Sequence, residues 1–281
     1  MIPFFDQPSV SLGPLTIHAF GVVTTLAIVV GLWIARRRTL AAGLDPATGE
    51  ALAWYALGFG FLGAHLYSVL LYFPDRLARD PLLLLRIWED ISSTGGILGG
   101  AAGIWVYLRR HRSELEPDER RRHFDAVAYA LPFAWAVGRV ACTLAHDHPG
   151  RVTGFFLARS LETEAARAFI LDVYAAAERL EDLPPPEILP GLGFHDLGWY
   201  ELLYLALVMA PVFLHLDRKP RQPGFWVVAF VLLYAPPRFL LDFLRVADPT
   251  YGGLTPAQWA ILAVLIGGGA LLASRRARRS A

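Results

Sequence analysis

The stretch GRVACTLAHDHPGR at residues 138–151 places a guanidinium inside a long apolar run and two imidazoles just past its end. Arg139 has no acidic residue three or four positions away, so its anion has to come from another helix or from a ligand. His146 and His148 suit either a general base at neutral pH or a hydrogen-bonding role. The pattern predicts a charged site at one end of an apolar segment.

Other apolar segments also carry charge. Glu201 lies just inside one of them, and Arg245 follows another. Arg238 and Asp242 are four residues apart on one helix face, which allows a mutual ion pair. Charge at membrane depth is costly and usually faces a protein interior or a cavity. Each of these residues is therefore a candidate for binding, catalysis or structure.

Glycines and prolines mark two irregular places. Thr94, Gly95 and Gly96 follow good N-cap residues, so a helix beginning there would direct its amides at an anion. Close glycine packing between helices explains the same pattern. Pro236 and Pro237 predict a break near the middle of an apolar segment, which either lines a cavity or serves packing.

The composition predicts an all-α polytopic membrane protein. Hydrophobic residues make up 55% of the 281 residues and charged residues 18%, below the roughly 25% charge of soluble domains. About seven blocks are candidates for crossing a bilayer, the third being short: residues 17–35, 51–71, 95–108, 124–144, 199–216, 225–244 and 256–272. We expect one membrane domain over residues 1–281, with an extracytoplasmic insertion at 149–198.

The basic residues predict the orientation. Clusters at 36–38, 109–122, 218–221 and 275–279 follow the first, third, fifth and seventh blocks. Short loops rich in Lys and Arg stay on the cytoplasmic side. The chain is therefore expected to be a multi-pass plasma-membrane protein with its amino terminus outside and its carboxyl terminus in the cytoplasm.

Several classes of function lack support in the sequence. The single cysteine, Cys142, excludes an intrachain disulfide and a cysteine-based metal cluster. Consecutive His-Asp-His does not aim three side chains at one point, so no metal is expected. A net charge of +1 makes no case for nucleic acid. The glycines at 58, 60 and 63 lie inside an apolar helix without a preceding strand, which indicates packing rather than nucleotide binding. No cofactor is predicted.

The insertion contains an amphipathic pattern. Apolar residues recur at helical spacing from residue 160 to residue 183, and three prolines follow. We interpret the pattern as one helix, which either covers a cavity at the outer membrane interface or connects loops.

Several segments resemble the prolipoprotein diacylglyceryl transferases of bacterial inner membranes. They are SLGPLTIHAFG at 11–21, YFPDRLARDPLLLLRIWED at 72–90, STGGILGG at 93–100, HDLGWYELL at 195–203 and YAPPRFLLDFLRVAD at 234–248, with Gly138-Arg139 and Gly150-Arg151 framing the family's signature region. The similarity covers nearly the whole chain.

This resemblance implies transfer of the diacylglyceryl group of phosphatidylglycerol to the lipobox cysteine of a secreted precursor lipoprotein. It implies phosphate binding by Arg139 and Arg238, with Glu201, Asp242 and Arg245 organising the cavity. Together with the residue patterns above, we expect catalytic roles for Arg139, Arg238, Glu201, His146 and His148 and a structural ion pair through Asp242. Phospholipid contacts are expected from Arg139, Arg238, Arg245, His18, Thr94, Gly95 and Gly96.

The chain departs from the family pattern at several positions. Phe20 stands where the family has Tyr, Thr94 where it has His, and Cys142 where it has Asn. The usual base is therefore replaced, and His146 or His148 would have to substitute for it. Two alternatives stay open: transfer of the same lipid group to another acceptor, and a non-catalytic lipid-binding or scaffold protein.

Overall fold

The computed structural model describes residues 1–13, 15–87 and 89–280. These residues form ten α-helices and five short strands. The helices are α1 Ala19–Ala41, α2 Pro46–Leu71, α3 Pro74–Arg79, α4 Ser93–Arg110, α5 Pro117–Ala145, α6 Glu164–Ala176, α7 Leu197–Tyr204, α8 Ala210–Leu216, α9 Phe225–Leu241 and α10 Pro256–Ser280. The strands are β1 Ser9–Leu12, β2 Leu15–His18, β3 Pro149–Thr153, β4 Arg159–Ser160 and β5 Gly193–Asp196. The mostly helical fold confirms the predicted all-α class.

Five helical spans in the described residues are long and apolar enough to cross a membrane. They are α1, α2, α5, α7 with α8 (Leu197–Leu216), and α9 with the turn after it (Phe225–Leu244). The blocks predicted at 95–108 and 256–272 are the helices α4 and α10, and the described apolar stretch of α10 is Pro256–Ala270. Crossing by these two helices stays a prediction. The side chains at 275–279, which contributed to the predicted orientation, lie outside the described part of the chain.

A hairpin precedes the first membrane helix. Strands β1 and β2 pair antiparallel, with Ser9 opposite His18 and Val10 opposite Ile17. Gly13 leaves β1 with a φ of +62°, a conformation that glycine adopts without strain. The prediction that the first span begins at residue 17 is therefore wrong by two residues, because β-branched residues at 16 and 17 favour a strand.

Helix α9 runs unbroken through Pro236 and Pro237. The predicted break in the middle of this segment is wrong, since the helix ends only at Leu241 and a single 3₁₀ turn, Asp242–Leu244, follows it. Prolines are tolerated in membrane helices where neighbouring groups satisfy the freed backbone carbonyls.

Helices α2 and α4 lie in close contact along facing glycines. A Cβ atom added to Gly63 would lie 2.8 Å from the Cα of Gly99, and one on Gly60 would lie 3.4 Å from the carbonyl oxygen of Gly96. Only glycine allows two backbones to approach so closely. The packing interpretation of the glycines at 60 and 63 is confirmed, whereas Gly58 has no neighbour within 4 Å of an added Cβ.

The chain divides into two compact units, each built from separated segments. Unit 1 consists of Met1–Arg37, Val127–Gln222 and Phe243–Asp248. Unit 2 consists of Arg38–Ala126, Pro223–Asp242 and the chain from Pro249 onward. Each unit is described by itself below.

The insertion at 149–198 forms a small head in unit 1. Its antiparallel sheet has the order β3-β5-β4, and α6 packs on it through a buried core formed by Leu161, Ala166, Ile170, Tyr174, Leu189, Phe194 and Val246. The prediction of one helix over 160–183 is wrong at both ends. Ser160 belongs to a strand, Thr163 caps α6 by accepting a hydrogen bond from the Ala166 amide (3.2 Å), and Glu178 has a φ of +55°. The apolar face of α6 therefore covers this core.

Candidate active site

Arg139 on α5 and Glu201 on α7 form an ion pair inside unit 1. Their side chains are only 3% and 4% exposed. Helix α7 begins directly after Asp196, whose carboxylate accepts a hydrogen bond from the amide of Trp199 (3.2 Å), and this cap places Glu201 on the second turn. Glu201 thus supplies the anion for Arg139 from another helix, one of the two alternatives that the sequence left open.

The Arg139 guanidinium also contacts a histidine and a thiol. Its Nη1 atom donates to Nε2 of His148 (3.3 Å) and to Sγ of Cys142 (3.3 Å). Because a guanidinium only donates, Nε2 must be the accepting nitrogen. The proton of His148 is then on Nδ1, which donates to Asp147 in a short contact. The carboxylate therefore holds His148 as a neutral imidazole with its lone pair directed toward Arg139.

The backbone after α5 produces this arrangement. The helix ends at Ala145, and His146 takes a left-handed φ of +50° that turns the chain toward β3. Gly150 then passes close to another segment, since an added Cβ would lie 2.6 Å from the carbonyl oxygen of Leu244. The same contact forms a backbone bridge between Gly150 and Arg245, which binds both oxygens of Asp248 at 2.9–3.0 Å.

Burial and charge shift the acid–base behaviour of the Asp147–His148 pair. Burial lowers the pKa of His148, and the charges of Arg245 and Arg139 lower it further, against the opposing effect of Asp147. For Asp147, burial alone would raise the pKa, but His148 and Arg139 outweigh it and the pKa is lowered. At neutral pH the pair is therefore a neutral imidazole beside a carboxylate, the state that a general base requires.

His146 has different neighbours from His148. Its Nε2 donates to the carbonyl oxygen of Phe5 (2.9 Å), its Nδ1 lies 3.4 Å from Asp196, and its ring stacks on Phe4 at 4.6 Å between centroids. The side chain is buried in the head, where chain groups occupy both ring nitrogens. These contacts give His146 a structural environment and leave His148 as the histidine beside Arg139.

His18 lies at an apolar cavity of about 590 Å³ at the start of α1. The cavity is lined by Thr16, Ile17, His18, Phe20, Gly21, Val22 and Thr25. It combines one imidazole and two threonines with apolar side chains, a composition that suits a ligand with a polar head and an apolar chain.

In unit 2, Arg238 and Asp242 form the ion pair that their spacing allows. Asp242 also accepts a hydrogen bond from the hydroxyl of Thr255 (2.6 Å), and Gln258 caps the start of α10 by exchanging hydrogen bonds with Thr255. Asp242 thus holds Arg238 and the beginning of α10 at one point.

The amides at the start of α4 already have acceptors in their own turn. The Gly95 amide donates to Oγ of Ser92 at 3.5 Å, and the Gly96 amide donates to the Ser92 carbonyl at 2.9 Å. The prediction of bare amides awaiting an anion is therefore wrong for these two glycines. Gly95 packs against Gly63 instead, and Thr94 lies beside it in the first turn of α4.

Sequence reasoning did not assign a catalytic role to Asp147 or to Cys142. Cys142, Asp147 and His148 offer atoms within 4.8 Å of one another, and these residue types can bind a metal. However, the Arg139 guanidinium already contacts two of them and supplies positive charge there. The available signal for Asp147 was its position next to His148, because a carboxylate adjacent to a histidine can fix its tautomer.

Comparisons with known proteins agree with the resemblance. Residues 7–274 match the family model described as prolipoprotein diacylglyceryl transferase. The chain is 31% identical over 255 residues to a phosphatidylglycerol–prolipoprotein diacylglyceryl transferase of Chromohalobacter salexigens, covering 89% of this chain and 83% of the relative. It is 30% identical over 277 residues to one of Neisseria gonorrhoeae, covering 93% of both chains. A relative of the same name from Symbiobacterium thermophilum is 26% identical over 269 residues, with 94% and 91% covered.

Proposed function

The chain belongs to the prolipoprotein diacylglyceryl transferase family, and from this membership we propose that it transfers the diacylglyceryl group of phosphatidylglycerol to the cysteine thiol of a secreted precursor lipoprotein. It is a multi-pass protein of a bacterial inner membrane. An outer amino terminus and a cytoplasmic carboxyl terminus are part of the proposal, since the precursor thiol is presented on the outer face.

The proposed reaction requires a base and a cation. The thiol sulfur forms a bond to the glyceryl carbon that carries the phosphate ester, and the bond between that carbon and the ester oxygen breaks. Glycerol phosphate leaves with the electron pair, and the thiol proton passes to the base. Charge develops on the departing phosphate, so a guanidinium placed there lowers the barrier.

The single observation that carries the proposal is the set of groups around the Arg139 guanidinium, which pairs with a carboxylate and donates to two weaker acceptors. Glu201 pairs with the guanidinium, and Nη1 donates to a thiol sulfur and an imidazole nitrogen, both at 3.3 Å. A phosphate oxygen is a stronger acceptor than either and forms charge-assisted hydrogen bonds with arginine. We therefore assign Arg139 to the phosphate, with Glu201 holding the guanidinium in position.

Binding of the phosphate also prepares the base. When Nη1 turns from His148 to a phosphate oxygen, Nε2 of His148 loses its donor and its lone pair becomes available. Asp147 keeps the proton on Nδ1 throughout. His148 then accepts the proton of the precursor thiol, so the base acts only when the lipid is present.

The other predicted residues take supporting roles. We propose that Arg238, held by Asp242, and Arg245, held by Asp248, contribute positive charge for the phospholipid. His18 and its apolar cavity suit contact with the lipid near its polar head. His146 is proposed to stabilise the head.

The test is transfer by purified protein. Phosphatidylglycerol and a lipobox peptide are added, and mass spectrometry measures a diacylglyceryl adduct on the peptide. The proposal expects the adduct with the cysteine peptide and none when that cysteine is serine. An adduct on another acceptor would support transfer of the same group elsewhere, and tight lipid binding without any product would support a scaffold. Either of these results overturns the proposed acceptor chemistry.

A further inference from the structure

The carboxyl end of α4 in unit 2 carries a second cavity, unrelated to the residues assigned to the reaction. It measures about 410 Å³ and is lined by Trp105, Val106, Arg109, Arg110 and Arg112. Its volume lies within the roughly 300–1,000 Å³ that is usual for small-ligand sites. Three guanidiniums and one indole therefore surround a single space.

The helix geometry explains why these side chains converge. Trp105 and Arg109 are four residues apart on α4 and share one face, and Val106 and Arg110 form the neighbouring row. Arg112 lies in the turn after the helix and lines the same cavity. The Arg109 guanidinium lies over the indole of Trp105 at 5.4 Å from the ring centroid, an arrangement that holds a cation next to an aromatic face.

No carboxylate neutralises these arginines within the part of the chain that the structure describes. The ion pairs found there use other residues, and Arg109, Arg110 and Arg112 are all exposed. The intervening His111 is occupied, since its Nδ1 lies 3.0 Å from the Tyr107 carbonyl. The three arginines thus keep the cavity positively charged, although Glu114 and Glu116 follow them in the sequence.

The apolar wall indicates what kind of anion fits. Trp105 is 56% exposed and lies one turn before Arg109, toward the apolar part of α4. Tryptophan is enriched at the level of lipid headgroups, and arginine beside it reaches the phosphate. A free phosphate would use the guanidiniums alone, whereas a lipid also covers the indole and Val106.

We propose that this cavity binds the headgroup of an anionic phospholipid, with the phosphate at the three arginines and the glycerol and upper acyl chain over Trp105. This lipid is separate from the one consumed in transfer, and the inference does not depend on the proposed reaction.

Native mass spectrometry of the delipidated full-length protein tests the inference. Phosphatidylglycerol, phosphatidylcholine or inorganic phosphate is added to wild type and to R109Q/R110Q/R112Q. Each arginine near a membrane surface contributes enough that losing all three should weaken one bound phosphatidylglycerol about 100-fold. The control R36Q/R37Q/R122Q removes the same charge from exposed arginines elsewhere and should keep that lipid.

A second variant, W105A, keeps every charge and should weaken the same lipid about tenfold. Thermal unfolding of all variants, measured in parallel, reports whether they are folded, and their transfer activity separates this inference from the catalytic proposal. The inference is overturned if the triple variant binds phosphatidylglycerol as wild type does, if the control loses it equally, or if inorganic phosphate displaces the lipid.

Discussion

Glu201 and a lipid phosphate are both anions that can pair with Arg139. Replacing Glu201 therefore tests whether the phosphate binds the same guanidinium. In E201Q the shape of the side chain is kept but the buried guanidinium loses the carboxylate of its ion pair, which costs about 3–5 kcal/mol of stability. A phosphate that binds Arg139 would replace the lost charge. We therefore expect E201Q to unfold at a lower temperature than wild type without lipid, and phosphatidylglycerol to stabilise E201Q more than wild type in thermal unfolding.

The exposed head residue Glu187 supplies the matched control, since E187Q removes an equal charge from a side chain that forms no ion pair among the described residues. Its melting temperature should follow wild type with and without lipid. Equal stabilisation of E201Q and wild type by phosphatidylglycerol would show that Arg139 does not bind the lipid phosphate.

The Asp147–His148 pair predicts a specific pH dependence. A base must be neutral to accept a proton, and the pKa of His148 lies below the ordinary value of 6.5. The acidic limb of kcat/KM should therefore fall below pH 6.5. Asp147 raises the pKa of His148, so D147N should move the limb to still lower pH. Because D147N also removes the carboxylate that keeps the His148 proton on Nδ1, the rate at the optimum should fall by about 10²–10⁴-fold.

The profile is measured by transfer to a lipobox peptide between about pH 4.5 and pH 8.5, about two units either side of the ordinary histidine value. An acidic limb that D147N moves upward, or leaves in place with an unchanged rate, would contradict the role given to Asp147.

At the level of single residues, a charged residue inside an apolar segment correctly indicated the candidate site. The order of residues along the chain did not show which side chains contact one another. Arg139 and Glu201 stand out in the sequence because charge is rare at membrane depth. His146 and His148 could not be told apart, since only the left-handed turn at His146 sends the two rings to different neighbours. A turn of this kind depends on how the head packs, which spacing does not reveal.

At the level of elements, the α2–α4 contact gives a direct test of glycine packing. In G99A the new Cβ would lie 3.0 Å from the Cα of Gly63 and still closer to the carbonyl oxygen of Phe59. Both atoms belong to backbone, so the helices have to separate. We expect a loss of about 1–3 kcal/mol in the free energy of unfolding, measured in detergent by denaturant titration.

Gly58, on the partner helix α2, is the control, because nothing lies within 4 Å of its added Cβ. G58A should leave stability unchanged or raise it by about 0.5–1 kcal/mol, since alanine favours a helix over glycine. Similar stability changes for G99A and G58A would contradict the packing role of the facing glycines.

Periodicity predicted the long helices within a few residues and failed for the short elements. The strands of the head and of the amino-terminal hairpin are two to five residues long, too short for an alternating pattern to emerge. The amphipathic pattern at 160–183 was correct about the buried face of α6, but Thr163 and the turn after Ala176 set its true ends. The prolines of α9 were misinterpreted because a membrane helix tolerates them.

At the level of the whole molecule, composition fixed the class and charge gave a consistent topology. The division into two units was not predictable, because each unit gathers segments distant in sequence and residues 243–248 join unit 1 while their neighbours on either side join unit 2. Residues 243–248 contact unit 1 through backbone pairing such as the bridge between Gly150 and Arg245, which spacing in the sequence does not reveal. The resemblance to the family was recognisable nevertheless, because it depends on short sequence segments and not on how the chain divides into units.

The most direct test of the account is the transfer rate of H148Q, which removes the proposed base and keeps a polar side chain of similar size. We expect purified H148Q to bind phosphatidylglycerol but to form the peptide thioether at least about 100-fold more slowly than wild type. H215Q, which alters an exposed histidine near the end of α8, should match wild type. A folded H148Q that produces the thioether at the wild-type rate would contradict the central claim.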